Sequence, residues 1–332
     1  MDWSVLPPAI QHCLKTVQAA GWAVYPVGGC VRDLLLGRQP GDVDACTAAL
    51  PEDIMALFGK NAVPTGLRHG TITVLTDDGA VEITTFRRET GYADGRHPDA
   101  VRFGIGLEED LSRRDFTINA MALSADGEII DRFGGRADLS AGLIRCVGEP
   151  DRRFAEDALR MLRAVRFAAQ LGFELEPDTT AALRRNAART VRVSRERIRA
   201  EMEKTLLSPR PERIGDMAEA GLLSHLHVFP QAVDYSGLSG LSCTPEERWR
   251  GFCTLTGFPI STLPVERKLR RAVEHPELAV IPTLALKAAD LMELGLTGPA
   301  IGAVQKALAL HVLTHPTDNT PDRLRLILNR KS

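Results

Sequence analysis

The sequence predicts an α+β protein, with a small mixed β-sheet near its start and helices over most of the remaining chain. Short β-branched segments that end at glycines, together with one strong hairpin signal, occur before about residue 145. Beyond about residue 150 the apolar residues recur with helical spacing. Prolines interrupt that helical region at Pro150, Pro177, Pro209, Pro211 and Pro230.

The first part of the chain alternates between predicted helices and strands. In chain order these are a helix over residues 6–21, a strand over 22–27, a helix over 30–37, a strand over 41–48 and a helix that begins at Pro51. Two further segments with alternating apolar residues, 69–76 and 80–88, meet at Asp77-Asp78-Gly79, which is typical of a β-hairpin.

The remaining segments indicate how the chain divides. Residues 87–111 are polar and rich in glycine, which predicts a long loop, and long loops inside compact domains tend to be functional. Residues 116–124 and 128–135 flank a turn signal, and residues 230–265 have a loop-like composition. We therefore expect a head over residues 1–145, a helical neck over 146–225, and a helical body and tail over 226–332.

Composition limits the class of protein. Hydrophobic residues make up 44% and charged residues 25%, as in soluble globular proteins, and no apolar run reaches the roughly 18 residues of a membrane span. The first residues lack the pattern of a signal peptide. Six scattered cysteines without a CxxC pair predict reduced thiols in the cytoplasm, rather than disulfides or a zinc site.

The net charge of -2 hides an uneven distribution. Arginines are dense between Arg145 and Arg199. Such a segment neutralises the phosphates of a nucleic acid, or it forms solvated helix faces. Composition alone slightly favours the solvated helix faces.

A short motif near the start indicates a metal and triphosphate site. The predicted strand 22–27 ends at Gly28-Gly29, where a helix begins, and glycines there let backbone N–H groups approach an anion. Asp42 and Asp44 follow on the next strand and share one face, since residues two apart point to the same side. Two such carboxylates repel each other unless cations lie between them, which predicts two Mg²⁺ ions. A surface turn also carries Gly-Asp-x-Asp, but not the glycine pair; a dinucleotide-binding loop would need GxGxxG, which is absent here.

A third acid is expected near these aspartates, to orient or deprotonate an attacking hydroxyl. Glu82 alternates with Val81 and Ile83 on its predicted strand, so it points to the opposite face from them. It is therefore the candidate, and a solvent-facing glutamate is the alternative.

Three strings in order make the sequence resemble a known family. They are YPVGGCVRDLLLG with GDVD, then LSRRDFTINAMAL, then EDALRMLRAVRFAAQLGF. Together they are similar to the class II tRNA nucleotidyltransferases (the bacterial CCA-adding enzymes) and poly(A) polymerases of the DNA polymerase β superfamily. The resemblance is strong over residues 22–210. It implies a nucleotidyltransferase head with a small mixed sheet, followed by a helical neck, body and tail.

The resemblance also implies roles for individual residues. Asp42 and Asp44 match the metal-binding pair, and Gly29 and Arg32 match positions that contact the triphosphate. In RRDFTINA, the residues that match the ribose-holding motif are Arg114, Asp115 and Asn119.

The last string matches the segment that selects the nucleotide. We predict one helix from Glu156 to Phe167, with Asp157 and Arg160 on one face. In the family this acid and arginine pair with the base edge of CTP or ATP, since both bases carry an amine beside a ring-nitrogen acceptor. Arg163 and Arg166 are then expected to bind phosphate; an ordinary salt-bridge ladder is the alternative.

The implied activity is addition of C, C and A to the tRNA 3′ end from CTP and ATP, with release of pyrophosphate. The polar segment around residues 87–103 matches the family's flexible loop and favours complete CCA addition or A addition alone. Alternatives are a poly(A) polymerase, a non-catalytic RNA-binding relative and a small-molecule nucleotidyltransferase. The expected partners are the tRNA 3′ end and acceptor stem, with no membrane and no stable protein partner. His225 and His227 lack partner acids at suitable spacing, so they are interpreted as structural.

Overall fold

The chain forms two compact units, residues 1–229 and 230–332, in a computed structural model that describes residues 2–90, 100–230, 232–275 and 284–329. The predicted head and neck belong to the same unit, so a boundary at residue 145 stays a prediction. The division after Phe229 falls close to the predicted start of the body.

A mixed five-stranded sheet forms the centre of the first unit. Its strands are β1 (Val24–Pro26), β2 (Val43–Thr47), β3 (Ala62–Gly66), β4 (Thr71–Thr76) and β5 (Gly79–Thr85), in the spatial order β1-β2-β5-β4-β3. Only the β2–β5 pair is parallel among these neighbours. The predicted hairpin of β4 and β5 is confirmed, with Thr76 opposite Gly79 at its turn.

Helices and short strand pairs surround this sheet. The helices of the first unit are α1 (Pro8–Ala19), α2 (Gly29–Leu35), α3 (Pro51–Phe58), α4 (Leu107–Ser112), α5 (Gly135–Ala141), α6 (Pro150–Glu156), α7 (Leu159–Leu171), α8 (Pro177–Asn186), α9 (Arg195–Leu206) and α10 (Ile214–Glu219). Three two-stranded pairs accompany them: β6 (Arg87–Thr90) with β7 (Ala100–Phe103), β8 (Met121–Leu123) with β9 (Ile129–Asp131), and β10 (Leu143–Ile144) with β11 (Glu174–Leu175).

One buried cluster of this unit lies where the sheet meets α4 and β8. Side chains that are almost fully buried form one cluster there: Val27, Cys46, Phe86, Leu111 and Ala122. Because these residues come from five distant segments, the cluster fixes the end of β1 against β2 and β8. Cys13, Cys30 and Cys146 are buried as well, as expected of small core residues, whereas Cys243 is exposed.

The interpretation of residues 87–111 as a long loop is wrong in part. Strands β6 and β7 pair antiparallel, with Arg87 opposite Phe103, and α4 begins at Leu107. The pairing is held by backbone hydrogen bonds, which a polar and glycine-rich sequence does not reveal. The centre of the segment, residues 91–99, lies outside the described residues.

The second unit is helical, as predicted. Its helices are α11 (Pro245–Thr256), α12 (Arg267–Glu274), α13 (Ala288–Glu293), α14 (Pro299–Thr314) and α15 (Pro321–Asn329). One buried cluster of this unit comprises Leu286, Leu308, Val312 and Leu324. Among the described residues, no helix combines the length and the apolar content that crossing a bilayer requires.

Candidate active site

Two acidic side chains lie next to each other on the exposed face of the sheet. In the parallel pair of β2 and β5, Asp44 is the register partner of Glu82. Val43 and Val81, which precede them, are buried. Because side chains alternate between the two faces of a strand, Asp44 and Glu82 share the opposite face. Glu82 therefore has the orientation that the sequence predicted.

The surroundings of Asp44 concentrate negative charge. Burial raises the pKa of the Asp44 carboxyl, the charge of Glu82 raises it further, Arg114 opposes these effects and Asp42 adds to them. A divalent cation would relieve this repulsion, and carboxylate oxygens are the ligands that Mg²⁺ prefers. Asp42 and Asp44 therefore fit a cation site. Among the described residues, no three or more histidines, cysteines or acids are grouped to hold a metal.

A cavity of about 340 Å³ opens beside these acids. It brings Asp44 and Glu82 of the sheet together with Asp157, Arg160 and Arg163 of the neck. The other lining residues are Val27, Ala45, Thr84, Arg87, Arg113, Arg114, Asp115, Leu159 and Arg197. Six arginines and four acids give the lining a formal charge of +2, which suits an anionic ligand.

The remaining predicted residues lie outside the cavity lining. These residues are Gly28, Gly29, Arg32, Asp42, Asn119 and Arg166. The contacts of these residues show which of them pack against the residues that line the cavity.

The glycine pair forms the turn between β1 and α2. Gly28 has a φ of +74°, which side chains disfavour, and its N–H donates to the Met121 carbonyl (3.2 Å). A Cβ at Gly28 would lie 2.9 Å from Nη1 of Arg114. The missing side chain thus lets Arg114 lie against the turn, and Gly29 then begins α2.

Arg32 is buried beneath this turn. It donates to Asp33 Oδ1 (2.8 and 2.9 Å) and, through Nη1, to Asn119 Oδ1 (2.9 Å). Arg32 therefore links α2 to the RRDFTINA segment. Its predicted contact with the triphosphate would require a change in these hydrogen bonds.

Asp115 holds the RRD motif against the neck. Its Oδ2 accepts from Nε of Arg163 (2.7 Å), and its Oδ1 accepts from the N–H of Phe116 (2.9 Å). Burial raises the pKa of Asp115, but Arg163 and Arg160 outweigh burial and lower that pKa to about 2. Asp115 is therefore ionised at neutral pH.

A second acid anchors the two arginines that precede Asp115. Asp110 is fully buried and accepts from Arg113 (2.8 Å) and Arg114 (3.5 Å). It also accepts from the backbone N–H of Arg87, where β6 begins (3.3 Å). Asp110 thus fixes both arginines relative to the base of the β6–β7 hairpin.

The predicted continuous helix from Glu156 to Phe167 is wrong. Helix α6 ends at Glu156, α7 begins at Leu159, and Asp157 between them is extended (φ -144°, ψ 108°). The side chain of Asp157 accepts from the N–H of Leu159 (3.0 Å), a local bond that competes with helix continuation. Asp157 and Arg160 both line the cavity, although they do not share one helical face.

Each member of the predicted base-reading pair has its own partner of opposite charge. Arg160 donates to Glu156 (2.7 Å) and to the backbone carbonyl of Arg113 (3.0 Å). Asp157 accepts from Arg197 of α9 (2.8 Å). The hydrogen bond between these two residues runs through the backbone, from the N–H of Arg160 to the carbonyl of Asp157 (3.0 Å).

The two arginines predicted to bind phosphate differ in their surroundings. Arg163 lines the cavity, where it pairs with Asp115. Arg166 is buried, pairs with Glu201 (2.5 Å), and lies 3.9 Å from the centre of the Phe167 ring. Phosphate binding by Arg166 would require that ion pair to open, so its role stays a prediction.

Comparison with known proteins places this geometry in a family. The family described as the poly A polymerase head domain matches residues 24–145, and the one described as a probable RNA and SrmB-binding site of polymerase A matches residues 172–234. The CCA-adding enzyme of Geobacillus thermodenitrificans is 44% identical over 84% of this chain and 72% of that enzyme. The chain belongs to the CCA-adding enzyme family.

A solved structure supports the same family. The Bacillus stearothermophilus CCA-adding enzyme in complex with CTP has a TM-score of 0.73 and 36% identity, covering 96% of this chain and 82% of that one. The Lactiplantibacillus plantarum CCA-adding enzyme is 51% identical over 61% of this chain. The matched segment spans only 50% of that relative, and 64% of the Geobacillus stearothermophilus enzyme.

In this member of the CCA-adding enzyme family, several residues of the site were not predicted from the sequence. Arg87, Arg113 and Arg197 line the cavity, and Glu156 pairs with Arg160. Arg113 had a signal, as the first residue of Arg113-Arg114-Asp115. Arg197 had only the arginine density of its segment, which does not show which side chain faces a cavity.

Proposed function

We propose that this chain adds C, C and A to the 3′ end of tRNA, taking the nucleotides from CTP and ATP and releasing pyrophosphate. The observation that carries the proposal is the single cavity in which Asp44 and Glu82 meet Asp157 and Arg160. Its acids suit cations, its arginines suit a triphosphate, and its acid and arginine at residues 157 and 160 suit a base edge. Relatives named CCA-adding enzymes, one of them solved with CTP, support it.

The catalytic face is formed by Asp44 and Glu82 of the sheet and by Asp42, which directly precedes β2. Asp42 and Asp44 would hold two Mg²⁺ ions, which lower the pKa of the attacking 3′-hydroxyl and stabilise the leaving pyrophosphate. Glu82 lies beside Asp44 and would accept a hydrogen bond from that hydroxyl, orienting it. Arg163 and Arg114 face the same cavity and would bind phosphate oxygens.

The nucleotide would be chosen by hydrogen bonds rather than by a template strand. Asp157 is an acceptor for the exocyclic amine of cytosine or adenine, and Arg160 is a donor to the neighbouring ring nitrogen. Uracil and guanine present the opposite pattern there and are rejected. Arg160 would exchange its bond to Glu156 for the base. Arg114, Asp115 and Asn119 would hold the ribose.

The tRNA would be bound through shape and phosphate contacts. The neck is rich in arginine, and a duplex acceptor stem offers phosphates and 2′-hydroxyls independently of sequence. Recognition of this kind would serve every tRNA. We expect the enzyme to work in the cytoplasm, where its cysteines stay reduced.

The decisive experiment is extension of tRNA ending at the discriminator base, at C and at CC. Each is incubated with Mg²⁺ and CTP, ATP or both, and products are resolved to one nucleotide. Addition of C, C and A followed by arrest is expected. Extension of the CC-ended tRNA alone would assign A addition, and long A tails would assign a poly(A) polymerase.

The cation assignment is tested with Asp44→Asn. Losing one carboxylate of the pair is expected to lower kcat about a hundredfold or more without unfolding the protein. Asp126→Asn is the matched control, because Asp126 is an exposed acid that accepts from Ser124 and does not line the cavity. Full activity of D44N would refute the assignment.

A further inference from the structure

The structure assigns to Arg197 the positioning of the base-reading carboxylate of Asp157, so that Arg197 determines nucleotide specificity without contacting the reacting atoms. This inference rests on the proposed function, since it concerns how the same cavity distinguishes cytosine and adenine from uracil and guanine. Arg197 lies on α9, outside the RRD and EDALR strings.

The contact between the two residues is bidentate. Nη2 of Arg197 donates to Oδ2 of Asp157 (2.8 Å), and Nη1 donates to Oδ1 (3.3 Å). Oδ1 also accepts from the N–H of Leu159 (3.0 Å). A planar guanidinium that holds both oxygens fixes the plane of the carboxylate, which a single point charge does not.

This arrangement determines what Asp157 offers to a base. Both oxygens accept hydrogen bonds from N–H groups, so the carboxylate faces the cavity as a hydrogen-bond acceptor. Each oxygen accepts up to two hydrogen bonds, and Oδ2 has the free position because Oδ1 already receives two. An amine of cytosine or adenine fits that position, whereas the carbonyl of uracil or guanine meets a fixed negative charge.

A buried ion pair one helical turn away holds Arg197 in place. Glu201, four residues after Arg197 on α9, pairs with Arg166 of α7 (2.5 Å), and both are buried. Residues four apart share a helix face, so this pair sets how α9 lies against α7 and directs Arg197 toward the cavity. Arg197 is 25% exposed and Asp157 18%, so the pair has limited access to water.

Arg160 is held in a parallel way by Glu156. The two base-reading groups are thus each fixed by a separate counter-charge before a nucleotide binds. Arg197 differs from Glu156 because it leaves one acceptor position of Asp157 open, so it stays in place when the base binds.

The test compares Arg197→Gln and Arg197→Lys with a matched control, Arg199→Gln. Arg199 lies on the same helix, pairs with Glu203 (2.8 Å) and does not line the cavity. The measured quantity is the ratio of kcat/KM for CTP to that for UTP on tRNA ending at the discriminator base. We expect this ratio to fall about tenfold or more in R197Q, to fall less in R197K, and to stay unchanged in R199Q.

A double-mutant cycle separates positioning from a general structural effect. Because Arg197 acts through Asp157, adding R197Q to Asp157→Ala should leave the remaining selectivity as it is in D157A alone. Equal loss of kcat/KM for all four nucleotides in R197Q, or an unchanged CTP to UTP ratio in a folded R197Q, would overturn the inference.

Equilibrium titration of CTP and UTP keeps the inference testable apart from the proposed function. If the wild-type protein extends no tRNA, the proposed function fails, yet the ratio of the two dissociation constants still reports on Arg197. Loss of the preference for CTP over UTP in R197Q or R197K supports the assignment, and a preference retained in both variants contradicts it.

Discussion

The buried carboxylate of Asp115 connects the neck to the RRDFTINA segment through hydrogen bonds. It accepts from Arg163 of the neck, from Asn119 and from the backbone of Phe116. The ribose-holding motif and the nucleotide-selecting helix α7 are thereby joined at one residue. A motif that resembles a substrate-binding string is therefore also part of the structural core.

The charge of Asp115 makes stability depend on pH. Its pKa is lowered from 3.8 to about 2 because Arg163 and Arg160 outweigh burial. A lowered folded-state pKa means that the stabilisation is fully present above about pH 4 and is lost as pH falls toward 2. Arg163→Met is expected to lower the free energy of unfolding by about 2–4 kcal/mol at neutral pH, and to shift acid unfolding to higher pH.

Denaturant titrations between pH 2 and pH 7 measure both effects. Arg185→Met is the control, because Arg185 forms an ion pair with Asp151 in which both side chains are more than half exposed. Such a pair contributes little. An acid midpoint of R163M equal to that of R185M would contradict the role given to the Asp115–Arg163 pair.

At the scale of elements, the turn between β1 and α2 requires a positive φ at Gly28 and also leaves space there for the side chain of Arg114. Gly28 and Gly37 both have positive φ, +74° and +69°. An added Cβ would meet Arg114 at Gly28 and nothing within 4 Å at Gly37. Gly37 therefore serves as a control for the positive φ at Gly28, without the contact to Arg114.

We expect Gly37→Ala to cost about 1 kcal/mol of stability because of its positive φ. Gly28→Ala should cost more, about 1–3 kcal/mol, because φ +74° with ψ -131° is close to a region that only glycine adopts readily. G28A should also displace the guanidinium of Arg114 and lower kcat/KM for CTP about ten- to a hundredfold. Thermal unfolding and single-nucleotide addition measure the two quantities. Equal activity of the two variants would show that the position of Arg114 at this turn is unimportant.

Elements with strong local signals could be predicted from the sequence, and those fixed by long-range contacts could not. The β4–β5 hairpin and the helix at Pro51 carry their own turn and start signals. Strand β3 was missed because it lies at the sheet edge, contains Pro64 and has three exposed residues in succession, so it lacks an apolar alternation. The helix break at Asp157 was missed because neither glycine nor proline marks it.

For the whole molecule, the sequence predicted several residues that line the cavity, but not how these residues are paired. Asp44, Glu82, Asp157 and Arg160 lie in one cavity, although Asp44 and Asp157 are far apart in the chain. The family resemblance is what groups these residues in the sequence, since no local pattern relates them. The ion pair of Asp157 with Arg197 depends on how α9 packs against α7, which no local pattern records.

All described lining of this cavity belongs to the first compact unit, residues 1–229. A unit with its own sheet and buried core is expected to fold without the rest of the chain. The fragment 1–229 should therefore bind CTP with a dissociation constant within about threefold of the full-length value. Its extension of tRNA should fall, because body and tail are expected to contact the tRNA.

Titration of CTP into the fragment and the full chain measures this, with Asp157→Asn in both as the control for binding at the cavity. A cooperative thermal transition would establish that the fragment is folded. If a folded fragment bound no CTP, residues 230–332 would have to contribute to nucleotide binding. Retained CTP affinity with reduced tRNA extension would instead assign nucleotide selection to the first unit and tRNA binding to the second unit.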